Sequence, residues 1–239
     1  MLYVTFCYAP DAAMLSMAAA RIQDLDPAAK IYAVNDPAAP IKQPIPGVNF
    51  TSADFPRGGN LNGLATVAGE LAVYEMLLKT ERADYITKFD CDLWANNLKP
   101  FLNTAPEDGR TAPDYLSVER FEPFVPSGMI YRLSRWAVAA AIKAFNARTR
   151  AGHWVNGNPY PEDVTIYNLV RSARLYTELV PFAAGYTAGM NDAGPGNYAA
   201  QLMAGVVHCG EPLPNGQRIS REHATLRMRI LKHETEKQK

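Results

Sequence analysis

The chain has 239 residues, 48% of them hydrophobic and 20% charged, with 24 basic and 24 acidic side chains. That is enough apolar material for one α/β core, and the balanced charge excludes a generally basic polyanion binder. No apolar run approaches the roughly 20 residues that span a bilayer. The N-terminus has no basic n-region or cleavage site, and Cys7, Cys91 and Cys209 are too scattered for a disulfide framework, so a cytoplasmic protein is expected.

Residues 2–9 form an apolar, aromatic and β-branched run bounded by Pro10, which predicts a buried first strand. Asp11 is placed to cap a helix that runs to about Leu25, and Asp26-Pro27 ends it. A second strand is predicted over 30–34, stopped by Asn35-Asp36-Pro37, and a Pro-rich connection follows through Pro46. Arg57-Gly58-Gly59-Asn60 reads as a flexible turn. After it, Leu64, Val67, Leu71, Tyr74 and Leu78 lie on one stripe of a helix. A strand of alternating character is predicted over 84–93, with Ile86, Lys88, Asp90 and Asp92 on one face and Tyr85, Thr87, Phe89 and Cys91 on the other. Further along, strands are expected at 116–120 and 203–207, and helices at 134–145, from Pro161 to Val170, and from Ser220 onward. Residues 185–198 are Gly-rich and read as a mobile loop, placed to close over a ligand. Alternation of strand and helix in the first half predicts a Rossmann-like α/β sheet in one domain, with ligands at the carboxyl ends of its strands.

Three places carry candidate chemistry. Asp90 and Asp92, at the end of a buried strand, need a partner, and hard oxygen donors suit Mg²⁺ or Mn²⁺ with positions left for phosphate oxygens. Lys88, two residues earlier on the same face, is a candidate for a phosphate or ribose, or for pairing with one of the acids. Glu162-Asp163 after Pro161 fits ordinary helix-start preferences, and also a rigidly held general base. His208 follows an apolar strand and can offer a neutral imidazole to a metal. Zinc held with Cys91 and Cys209 is a weaker reading, because Cys91 is expected to face the core.

Taken together, these residues resemble a known group. Tyr85-Ile86-Thr87-Lys88-Phe89-Asp90-Cys91-Asp92-Leu93 resembles the metal-binding strand of the inverting β-1,3-galactosyltransferase and Fringe-like glycosyltransferases, with Cys91 where that group has a third acid. The segment Pro126-Ser127-Gly128-Met129-Ile130-Tyr131-Arg132-Leu133-Ser134-Arg135 is similar to its pocket-lining Ser-Gly segment. Glu162-Asp163-Val164 is similar to its Glu-Asp-Val motif, and His208 falls where it supplies a metal-binding His. The resemblance covers residues 84–208. It implies a GT-A fold over residues 1–217, with a nucleotide-binding half at 1–100 and an acceptor-side half at 101–217, followed by a basic helical tail at 218–239. It further implies a metal-dependent enzyme that transfers a hexose from a UDP-sugar to a hydroxyl acceptor with inversion. Asp92, His208 and Asp90 would hold Mn²⁺ or Mg²⁺, and Asp163 would be the base. Thr5, Phe6, Asn35, Asp36, Arg57, Lys88, Asp90, Ser127 and Gly128 would bind the donor. Saccharide, small molecule and hydroxymethylated DNA all stand as acceptors, the last because Arg218, Arg221, Arg227, Arg229 and Lys232 make the tail basic. A sugar nucleotidyltransferase, or a non-catalytic nucleotide-sugar-binding domain, is the alternative. The first lacks its Gly-rich loop after strand one, where Ala9-Pro10-Asp11-Ala12-Ala13 stands instead.

Overall fold

A computed structural model of the chain describes residues 1–53, 63–102, 112–119, 126–154, 160–180, 187–189, 204–210 and 220–238. In chain order the elements are β1 (Leu2–Cys7), α1 (Ala12–Leu25), β2 (Lys30–Asn35), β3 (Val48–Ser52), α2 (Leu64–Thr80), β4 (Tyr85–Phe89), β5 (Leu93–Ala95) and α3 (Lys99–Leu102). They continue with β6 (Tyr115–Glu119), β7 (Pro126–Ser134), α4 (Arg135–Arg150), α5 (Glu162–Ser172), β8 (Thr177–Val180), β9 (Thr187–Gly189), β10 (Val206–His208) and α6 (Arg221–Lys237).

Seven strands form one sheet in the order β3-β2-β1-β4-β7-β6-β8. Its strands are parallel except β7, which runs antiparallel to both β4 and β6. Strand order reverses at β1, between β2 on one side and β4 on the other, and the crevice beyond their carboxyl ends is where such sheets take ligands. The start of β7 opens at that same end. A smaller sheet, β5-β10-β9, stands beside the large one.

The sheet is buried on both faces. One core packs Tyr3, Ile31 and Phe89 against α1, the small sheet and the Ala224, Met228 and Leu231 stripe of α6. The other packs Val4, Ile86 and Tyr131 against α2, α4 and α5. Of the predicted stripe of α2, Val67, Leu71, Tyr74 and Leu78 are buried there, while Leu64 at the helix start is half-buried. No helix among the described residues is long and apolar enough to cross a membrane.

Three expectations need correction. The strand predicted over 84–93 is two: β4 stops at Phe89 and β5 starts at Leu93 in the other sheet. Residues 126–134, taken only as a pocket segment, are a nine-residue strand in the middle of the sheet. Within it Arg132 is wholly buried, its Nη1 donating to the Phe101 carbonyl at 2.7 Å and its guanidinium 4.7 Å from the Tyr85 ring centre. Of the predicted mobile loop, Thr187–Gly189 form β9, parallel to β10, and the remainder lies outside the described residues.

Candidate active site

The short link between the two sheets builds the site. After β4 the chain turns, the Asp90 carbonyl accepting from Leu93 N at 3.0 Å while Asp90 N donates to the Met129 carbonyl of β7 at 2.9 Å. β5 then pairs with β10 so that His208 stands opposite Leu93, and Cys209 N donates to the Asp92 carbonyl at 3.1 Å. Asp90 and Asp92 therefore converge through a turn, not through strand alternation. One ligand atom each from Asp90, Asp92 and His208 lies within 4.8 Å of the others. His208 Nε2 is 3.4 Å from Asp92 Oδ2. Gly210 is needed here, because a Cβ at that position would collide with the Asp92 carboxylate.

The charges around the cluster bear on whether it could hold a cation. Asp11, which heads α1, is buried, and burial together with the charges of Asp92 and Asp90 pushes its carboxyl up to about 7. Burial also raises Asp90, with Lys88 working against the rise. Burial works against the Asp92 carboxylate too, but His208 outweighs it and leaves Asp92 below the usual range. Two carboxylates and an imidazole at one strand end, with Asp11 close behind them, make a hard oxygen and nitrogen donor set that fits Mn²⁺ or Mg²⁺. The zinc reading gains nothing: Cys209 is buried, its thiol held neutral by burial, and neither Cys91 nor Cys209 joins the cluster.

Lys88 forms the wall beside the cluster. Its Nζ is ion-paired with Asp90 and donates to the Gly128 carbonyl at 2.5 Å. Burial opposes its charge, but Asp90, Glu162 and Glu70 outweigh burial and keep it protonated. Gly128 in turn touches the start of α5: a Cβ there would lie 2.9 Å from Asp163 Oδ2. Asp163 is 2% exposed and its Oδ1 accepts from Val164 N at 2.7 Å. The half-buried Glu162 is pushed up to about 7, first by burial, with the Asp163 and Asp90 charges adding to it against Lys88. Beneath Lys88, Glu70 of α2 is fully buried and accepts from Tyr74 and Tyr131, each at 3.1 Å. Its carboxyl is pushed up to about 8, chiefly by burial.

The residues expected to bind donor, hold the metal or act as base divide. Lys88, Asp90, Asp92, His208, Gly128 and Asp163 are brought together. Ser127 is beside them, its Oγ accepting from Met129 N at 3.3 Å and its carbonyl accepting from Ser117. Thr5 lies inside β1, wholly buried, because the strand runs on to Cys7. Phe6 packs edge-on against Tyr74. Asn35 is spent on its own loop, its side chain bonded to both the N–H and the carbonyl of Ile41, and Asp36 accepts from Ala38 N at 2.7 Å. Arg57 lies outside the described residues. Sequence reasoning missed Glu70 and Asp11. Glu70 carried a signal, an acid within the buried stripe three residues after Val67 and four before Tyr74. Asp11 read as an ordinary cap of α1, yet its side chain caps no N–H of that helix and instead accepts from Tyr8 N at 3.2 Å.

No protein-family model and no curated protein matches the chain. Solved structures do, and they are glycosyltransferases of the GT-A type. The chain is similar to a glycosyltransferase involved in glycosylation of the major capsid of PBCV-1, with a TM-score of 0.57 at 14% identity over 96% of this chain and 98% of that one. It is similar also to an active-site mutant of LgtC, with a TM-score of 0.55 at 14% identity over 98% and 96%. A third likeness is to the galactosyltransferase LgtC in complex with donor and acceptor sugar analogs, with a TM-score of 0.53 at 14% identity over 97% and 96%. The chain has the GT-A fold that its sequence led us to expect.

Proposed function

We propose that the protein is a glycosyltransferase that moves a hexose from a UDP-sugar to a hydroxyl acceptor, using Mn²⁺ or Mg²⁺. The observation that carries this reading is the Asp90, Asp92 and His208 cluster at the carboxyl end of the sheet where its strand order reverses. A divalent cation bound there supplies charge neutralisation for a departing diphosphate. Asp92 and His208 would hold it directly, with Asp90 as a further ligand or a ribose contact. Lys88 braces Asp90 and the Gly128 carbonyl, so the acids stay aimed before ligand arrives. Transfer is a single displacement with inversion, in which a carboxylate at the start of α5 takes the acceptor proton. The resemblance assigns that role to Asp163, and its contact with Gly128 supports the assignment. A saccharide acceptor is supported by the fold shared with LgtC, solved with donor and acceptor sugar analogs.

The test is a nucleotide-sugar panel with Mn²⁺, read as nucleotide release with and without saccharide acceptors. UDP-hexose turnover is expected, lost in EDTA and in Asp92→Ala while the circular dichroism spectrum is kept. Full activity in EDTA, or a panel in which only guanosine or cytidine donors are turned over, overturns it. Retention at the anomeric carbon by NMR removes the single displacement.

A further inference from the structure

We propose that Arg221, at the start of the C-terminal helix, is a contact for the donor diphosphate beside the cation cluster, an assignment that rests on the reading of the site given above. Arg221 Nε donates to Asp11 Oδ1 at 2.9 Å, and its guanidinium carbon lies 4.5 Å from the Tyr8 ring centre. Asp11 is itself buried against the cluster, near enough to feel the charge of both Asp92 and Asp90. Each of the three carboxylates is met by one basic group: Lys88 on Asp90, His208 on Asp92 and Arg221 on Asp11.

These basic groups differ in what they can offer a ligand. Lys88 has only 8% of its side chain exposed and is held by two acceptors. His208 belongs to the cation. Arg221 has 46% of its side chain exposed. Among the described residues Nε makes its one hydrogen bond, so both terminal nitrogens remain to meet oxygen anions in the planar fork that suits phosphate. Its ring contact with Tyr8 and its bond to Asp11 fix the plane of that fork before ligand arrives, which reduces the entropy lost on binding.

The helix that carries it is anchored to the same site. Ser220 Oγ accepts from His223 N at 3.3 Å as the N-cap, and Ala224, Met228 and Leu231 are buried in the core shared with α1. Six residues beyond Arg221 along the helix, Arg227 Nη1 donates to the Cys209 carbonyl at 3.1 Å, next to His208. The helix that carries Arg221 is therefore pinned both at Asp11 and beside His208.

Calorimetry with UDP and with inorganic pyrophosphate, each with Mn²⁺, tests the assignment on wild type, Arg221→Ala, Arg221→Lys and Arg229→Ala. Arg229 is an exposed arginine on the same helix and controls for net charge. Wild type and Arg229→Ala are expected to bind both probes alike. Arg221→Ala should weaken both by about tenfold or more, the loss of one charge-assisted hydrogen bond, with Arg221→Lys in between. In turnover, the donor KM should rise more than kcat falls. If Arg221→Ala lowers the melting temperature but binds both probes as wild type does, Arg221 only ties the helix down and the assignment is overturned. If wild type binds neither probe with Mn²⁺, the reading of the site fails and takes the assignment with it.

Discussion

Adjacent positions on a helix point about 100° apart, so Glu162 and Asp163 cannot face one sugar together. Asp163 lies against Gly128, while Glu162 is felt by Lys88, Asp90 and Glu70. With Asp163 as the base, Asp163→Asn should lower turnover by about 10²–10⁴ with UDP affinity near normal, and Glu162→Gln should do less. A larger loss in Glu162→Gln would move the role to Glu162. Glu70 yields a prediction about stability instead. Its folded carboxyl, pushed up to about 8, holds a proton that the unfolded chain releases near the ordinary value of 4.5. Between those values the folded state binds more protons, so stability falls as pH rises from about 5 to 8, by at most roughly 1.4 kcal/mol per pH unit for this group. Melting curves of the metal-free protein should show a higher midpoint at pH 5.5 than at pH 8. Glu70→Gln should flatten that slope, and an unchanged slope would mean that Glu70 does not titrate in this window.

At the scale of elements, α4 and α6 show what holds the frame. Ser134 Oγ accepts from Ala137 N at 3.0 Å as the N-cap of α4 and donates to Asp114 Oδ1 at 2.5 Å. Ser134→Ala strips both bonds from a buried position and should cost about 1–2 kcal/mol in urea unfolding. A loss below a few tenths would show the cap to be idle. The elements that were legible in the sequence explain why others were not. β1, α1 and β2 are each one apolar run closed by Pro10, Asp26-Pro27 and Asn35-Asp36-Pro37, and each was found within a residue or two of its place. β7 was hidden because Ser127, Gly128 and Arg132 interrupt its apolar pattern. Its burial depends on the Phe101 carbonyl and the Tyr85 ring receiving a guanidinium, which no local window reveals. The residue types of the candidate site were legible in Asp90, Asp92 and His208. Their meeting was expected only from the family resemblance and not from any local pattern, since it needs β5 to pair with a strand more than a hundred residues away. For Arg221 the sequence offered only a basic helix.

Across the whole molecule, the site straddles two cores. The cation cluster and α6 rest on the core that holds α1 and the small sheet, and α5 with Glu162 and Asp163 rests on the other. Cavities opened in the two should act differently. Met228→Ala and Leu169→Ala should each cost about 2–5 kcal/mol, both side chains being wholly buried. Met228→Ala should chiefly weaken UDP binding with Mn²⁺, whereas Leu169→Ala should chiefly lower turnover at saturating donor. Equal loss of both properties in both variants would show that the cores act as one. The pairing of β5 with β10 also sets an order of events on the ribosome. Asp90 and Asp92 leave the ribosome more than a hundred residues before His208 and the strand that seats it. A nascent chain folding from its N-terminus therefore has Lys88 at hand for Asp90 from the start, but leaves Asp92 without its imidazole until more than a hundred further residues have been made.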